Sequence, residues 1–247
     1  MSVSLSRFLA LLFAFFPVLA SSQTTLTVAA ASDLTNVEPP LQATFEKTNP
    51  IRIRWVTGAS GVLTHQIENG APYDIFLSAN AQFVDRLAEK RKIEPISVRA
   101  YAEGQVGILW RDGKPHKIQE LGANWVRIVA LPNPQLAPYG VAAQQALEHE
   151  GLWKAVQPKV VYGENVRQTL ELFESGNADA VLTSNSLLQG KPAAVLPSDW
   201  HAPIVQKAGI VTGTTKAEAA EKFLHFLLSP DAQAILAKFG FGSPRTK

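Results

Sequence analysis

The chain has 247 residues, no cysteine and nearly balanced charge, with 23 Lys and Arg against 21 Asp and Glu for a formal net of +2. The lack of cysteine excludes a disulfide scaffold, a thiolate metal site and a cysteine nucleophile. The charge balance leaves no electrostatic footprint for nucleic acid or another polyanion. A chain of this length buries a full core without staples, as one large domain or as two lobes.

The opening stretch, "MSVSLSRFLALLFAFFPVLASSQ", carries Arg7, an apolar run and small residues around Ala20. That order is the pattern of a secretory signal peptide. The apolar run is shorter than the roughly 20 residues of a membrane-spanning helix, and Pro17 falls near its end. Cleavage after Ala20 or Ser22 is expected, removing residues 1–22 and leaving an exported, soluble chain of net charge about +1.

Beyond the leader, β-type runs alternate with helical patterns. Strands are expected over 25–31, 51–57, 74–79, 104–110, 126–132, 159–163, 179–183 and 204–213. Helices are expected near 33–47, 61–69, 80–91, 140–150, 165–175, 216–228 and 231–239. Such alternation predicts an α/β fold of parallel-rich sheets flanked by helices. Pro39 and Pro40 fall inside the first helix, so a kink or restart is expected near Pro40. The segment "KRKIEPISVRAYAEGQVGILW" leads from one set of βα units into another, and "PSDWHAPIVQKAGIVTG" brings a strand back. Two lobes follow, 23–103 with 204–247 and 104–203, with a cleft between them.

The chemistry gathers at strand-to-helix junctions. "TGASGVLTHQ" ends a strand in Gly58, Ala59, Ser60 and Gly61 before a helix begins. The first N–H groups of a helix lack partners and carry partial positive charge, so an anion is favoured there. Small residues keep Cβ bulk away, and the Ser60 hydroxyl is a further donor. A plainer reading makes Ser60 a helix cap. The pattern recurs, however, at Ser32 in "VAAASDLTN", at Tyr139-Gly140 in "ALPNPQLAPYGVAAQQAL" and at Asn165-Val166 in "VVYGENVRQTLELF". If the four junctions converge, a tetrahedral dianion receives donors from both lobes. Each bond to a charged acceptor contributes roughly 1.5–3 kcal/mol, with no arginine needed.

Enzyme patterns are missing. "GASGV" places its second glycine one position early for a nucleophile elbow, and no nucleotide-binding glycine motif occurs. His65, His116, His149, His201 and His225 lack metal-ligand spacing. Arg167 reads as an ion-pair partner, Glu171 and Glu174 as a solvated face, and the five tryptophans as too dispersed for a stacking platform.

In "AAASDL", "GASGVLTHQIENGAPYDIFLSA", "NPQLAPYG" and "YGENVRQTL" the sequence resembles the periplasmic molybdate-binding proteins of ABC transporters, from about Leu26 to Gly242. The resemblance implies a two-lobed periplasmic binding protein of type II that closes like a hinge on one oxyanion. It implies hydroxyl ligands at Ser32 and Ser60, backbone amides at Tyr139 and Val166, and a further amide at Asp33, whose carboxylate should point away. These would be oxyanion ligands without direct metal coordination. It also implies no cofactor, no catalysis, a monomer, delivery to an inner-membrane permease, and tungstate as a second ligand. Many relatives supply a tyrosine hydroxyl from the segment aligned with "AVLTSNSLL"; this chain has Thr183 and Ser184 there. The alternatives are a binder of sulfate or another anion, and an enzyme on the same scaffold.

Overall fold

The computed structural model describes residues 23–244, so the leader expected over 1–22 lies outside them. β1 (Thr24–Ala31) ends in a single 3-10 turn over Ser32–Leu34. α1 (Glu38–Thr48), β2 (Ile51–Gly58), α2 (Ser60–Glu68), β3 (Ile75–Ser78) and α3 (Ala81–Glu89) follow. β4 (Arg99–Gly104) then hands over to β5 (Val106–Trp110) across Gln105. Next come β6 (Val129–Pro132), α4 (Pro138–His149), the short α5 (Trp153–Val156) and β7 (Val160–Gly163). α6 (Val166–Glu174), β8 (Ala180–Ser184) and β9 (Ala194–Val195) complete that half; β10 (Ile204–Ile210), α7 (Ala217–Leu227) and α8 (Pro230–Lys238) return to the first.

Two five-stranded sheets result, in the orders β2-β1-β3-β10-β4 and β7-β6-β8-β5-β9. Each has two parallel pairings among its first three strands and two antiparallel pairings among the rest. The sheets are therefore mixed, and the parallel halves match one another strand for strand. β1 corresponds to β6 and β2 to β7, so the junctions after these four strands occupy equivalent places.

Alternation along the strands sorts side chains onto two faces. Leu26, Val28 and Ala30 of β1 enter one core with Phe45, Phe223 and Leu236, whereas Ala29 enters a second core with Leu63, Phe76 and Val84. Phe45 meets Phe223 edge to face at 5.1 Å. The second sheet has its own core around Trp110, Leu131, Leu147 and Leu182, and Ala31 and Ala79 from the first sheet's strand ends reach into it.

Three departures from the expected elements have local causes. Helix 33–47 is divided: the 3-10 turn stops at Leu34 and α1 restarts at Glu38, so Pro39 and Pro40 sit in its first turn, where no amide partner is lost. The expected strand 104–110 breaks at Gln105, because residues up to Gly104 pair with β10 while those from Val106 pair with β8. β4 and the two-residue β9 fall where no strand was expected.

Asp74, just before β3, ties three segments together. Its carboxylate accepts from the Thr27 N–H at 2.7 Å, the Thr214 hydroxyl at 2.6 Å and the Lys216 ammonium at 2.9 Å. Burial pushes its pKa up, but these bonds outweigh it and hold the carboxyl below its usual value. The folded pKa lies below the unfolded one, so this contribution is complete above about pH 3.9 and is lost as pH falls through the folded value. Asp74→Ala should cost about 1–3 kcal/mol by orphaning the buried Thr27 N–H. Urea denaturation with an unchanged slope would show this loss, and the variant should lose less stability than the wild type on acidification.

Candidate functional site

The carboxyl ends of β1, β2, β6 and β7 face one another across a single cleft. It is lined by Ala31, Ser32, Asp33, Gly58, Ala59, Ser60, Ala79, Ala137, Pro138, Tyr139 and Val166, and its empty space, mouth included, is about 180 Å³. All five expected site residues are thus brought together, and no Lys or Arg is among the lining residues. The larger hollow at Gln23, Thr24, Pro50 and Lys222 meets the start of α7 alone.

Ser60 is the first residue of α2, not its cap; Ala59 holds that place and offers no side-chain bond. The Ser60 hydroxyl oxygen accepts from the Ala79 N–H at 3.1 Å, which leaves its proton available to the cleft. Ser32 opens the 3-10 turn, 5% exposed, and its hydroxyl has no partner among the described residues. Tyr139 and Val166 stand in the first turns of α4 and α6, where an N–H has no intrahelical acceptor. Asn165 does cap α6, but it accepts from the Arg167 and Gln168 amides and leaves that of Val166 free.

Small residues let these helix starts approach. A Cβ at Gly140 would lie within van der Waals overlap of Pro132 and Asn133, at the end of β6, and one at Gly163 would meet Thr169. Gly61 donates its N–H to the Leu136 carbonyl in the other half at 3.0 Å. The Ser186 hydroxyl donates to the Asp33 carbonyl at 2.6 Å, again across the halves.

The Asp33 carboxyl is 1% exposed and lies in a polar cluster beside the cleft. Its Oδ2 accepts from the Tyr139 hydroxyl at 2.9 Å and from the Gln206 amide, and Gln206 in turn accepts from the Tyr101 hydroxyl at 2.6 Å. Burial pushes Asp33 up to about 7, against the bonds from Gln206 and Tyr139 that favour the charged form. Asp33 therefore brings both an amide at the junction and a side chain engaged with the opposite half.

Thr183 does not line the cleft. Its hydroxyl donates to the Val166 carbonyl at 2.9 Å and steadies the start of α6, while the Ser184 hydroxyl pairs with Ser186 at 2.8 Å. Arg167 pairs with Glu171 at 3.0 Å and Lys191 with Glu174 at 3.1 Å. Trp110 and Trp125 do come together, 5.7 Å apart with His116 against both rings, away from the cleft. Gln206 and Tyr101 were missed in the sequence. For Gln206 a signal existed: in "IVQKAGI" the inward positions are Ile204, Gln206, Ala208 and Ile210, so an amide falls in an apolar row.

Two α/β lobes that meet at a cleft of helix starts form a device for capturing a small ligand. The chain belongs to the bacterial extracellular solute-binding protein family, matched over residues 26–242. It is 31% identical over 219 residues to the molybdate-binding protein ModA of Rhodobacter capsulatus, covering 86% of each chain. To ModA of Azotobacter vinelandii it is 30% identical over 252 residues, covering 98% of this chain and 99% of that one. The solved Azotobacter vinelandii periplasmic molybdate-binding protein superposes with a TM-score of 0.83 at 31% identity, covering 89% of this chain and 100% of that one. The sulfate-binding protein SubI of Mycobacterium tuberculosis superposes at 0.72 with 16% identity, covering 88% of this chain and 86% of that one, and shares the fold alone.

A Cβ placed on Gly61 would come within 2.9 Å of the Leu136 carbonyl oxygen. Gly61→Ala should hold the halves apart, giving a larger radius of gyration than wild type in small-angle scattering. An unchanged radius would mean that the backbone at Leu136 gives way instead.

Proposed function

We propose that this protein is an exported, monomeric solute-binding protein that captures molybdate, and tungstate with it, and delivers the anion to an ABC-type permease. The observation that carries the reading is the meeting of four strand-to-helix junctions, two from each lobe, in a cleft without a cation. Its relatives named as molybdate-binding, similar along almost the whole chain, support the choice of anion.

Ser32 and Ser60 would donate hydroxyl protons, and the amides of Tyr139, Val166 and Asp33 would complete the shell. The anion would be held by oriented dipoles, with no covalent step, no catalysis and no cofactor. Sulfate and molybdate are both tetrahedral dianions that hydroxyl and amide donors meet alike, so selection rests on the size and shape of the closed cleft. Among the described residues no helix is long and apolar enough to cross a membrane. The leader-like segment over 1–22 and the family of extracellular binding proteins support export to the periplasm. Lobe 1 would comprise 23–103 with 204–247 and lobe 2 would comprise 104–203, hinged at the β4–β5 and β9–β10 crossings.

Calorimetric titration of protein refolded to strip bound anion tests this reading. Molybdate and tungstate should bind one to one, and sulfate should not. Ser32→Ala and Ser60→Ala should each weaken molybdate binding roughly tenfold to a hundredfold, the equivalent of one bond to a charged acceptor. Equal binding of sulfate would make the cleft a general oxyanion site, and binding of none of the three would refute the proposal.

A further inference from the structure

Tyr139 belongs to both the cleft and the buried cluster. Its N–H stands in the first turn of α4, while its ring, 1% exposed, crosses to the other lobe and donates its hydroxyl to Asp33 Oδ2 at 2.9 Å. The ring lies against Gly104, where an added Cβ would overlap the phenol oxygen. Gly104 ends β4 at its crossing into the second sheet and pairs with Ile204, the first residue of the returning β10. Gln206, two residues further along β10, donates to the same Asp33 oxygen and lies 3.3 Å from the Tyr139 hydroxyl. The register between β10 and β4 shifts immediately after Gln206. One carboxyl oxygen thus joins the 3-10 turn of lobe 1, the first turn of α4 in lobe 2, and a strand that links them.

We propose that the Asp33 carboxyl and the Tyr139 hydroxyl form a latch between the lobes that sets how long a captured anion is retained. The inference rests on the binding reading above. Asp33 and Gln206 act as positioning residues, since they fix Tyr139, whose N–H faces the anion. Closure of the lobes brings the Tyr139 amide to the anion and its hydroxyl to Asp33 in one motion, and opening must break both. Because both donors enter Oδ2, the bonds persist whether or not the other oxygen carries a proton.

The Thr183 hydroxyl is engaged with Val166, while the Ser184 hydroxyl pairs with Ser186 and meets the Tyr139 hydroxyl from within the same lobe. Beside the Gly61 bond to Leu136, the lobes are joined by Tyr139 on the Asp33 carboxyl and by Ser186 on the Asp33 carbonyl. This grip acts beside the anion and not on it, so it governs escape more than encounter.

The test follows the release of radiolabelled molybdate, chased with excess unlabelled molybdate, from wild type, Tyr139→Phe, Asp33→Ala, Asp33→Asn and the Tyr139→Phe/Asp33→Ala double variant. Tyr139→Phe keeps the backbone amide and removes only the hydroxyl. It and Asp33→Ala should each speed release about tenfold, with association changed less than about twofold. Asp33→Asn retains an acceptor oxygen and should speed release less than Asp33→Ala does. The double variant should release no faster than the quicker single variant, as expected of two ends of one bond. The melting temperature of anion-free Tyr139→Phe should match that of wild type, with the loss confined to the increase that molybdate confers. Unchanged release by Tyr139→Phe, additive effects in the double variant, or a loss located wholly in the anion-free protein would each overturn the latch. Failure of the wild type to bind molybdate would instead refute the underlying reading, and the latch with it.

Discussion

An anion buried without a counter-ion must be met by dipoles that have nothing else to do, and a protein chain has few of these. The first-turn amides of helices are the main supply, because their geometry denies them an intrahelical acceptor. Much of this architecture follows from using them. Helices must begin at strand ends, those ends must lie side by side, and two sheets must present them to one another. The orders β2-β1-β3 and β7-β6-β8 meet that need twice over. The glycines at 61, 140 and 163 then permit an approach that any side chain would block.

The parts of this arrangement built from neighbours in sequence were legible before the structure. Each junction is a strand, a short loop and a helix start, and all four were readable from the order of residues along the chain. What escaped depended on partners remote in the chain. β4 reads as a connecting segment because its pairing partner, β10, lies about a hundred residues away. The break at Gln105 is set by where two different sheets claim the backbone, which periodicity does not record. Ser60 taken alone read as a cap before a ligand; the structure places Ala59 at the cap and the Ser60 oxygen on the Ala79 N–H.

The segment at 183–186 shows how a binding protein redistributes its contacts. Thr183 holds the start of α6 through the Val166 carbonyl, and Ser186 reaches the Asp33 backbone in the other lobe. Both act on residues that line the cleft while remaining outside it. The burial of Asp33 carries an energetic cost, visible in a carboxyl pushed up to about 7, and the hydroxyl and amide that surround it offset part of that cost.

The missing side chain at Gly104 has a consequence for how such a sequence can change over time. The space a Cβ would need is taken by the Tyr139 phenol, which itself is anchored by Asp33 and Gln206. Residues 33, 104, 139 and 206 therefore form one unit of inheritance, distributed over four elements. A lineage that enlarges residue 104 must first shorten residue 139, and one that shortens residue 139 removes the reason for an acid at 33. Such positions should drift together or stay fixed together, whereas Ser32 and Ser60, which line the cleft without touching this unit's side chains, are free of that bargain.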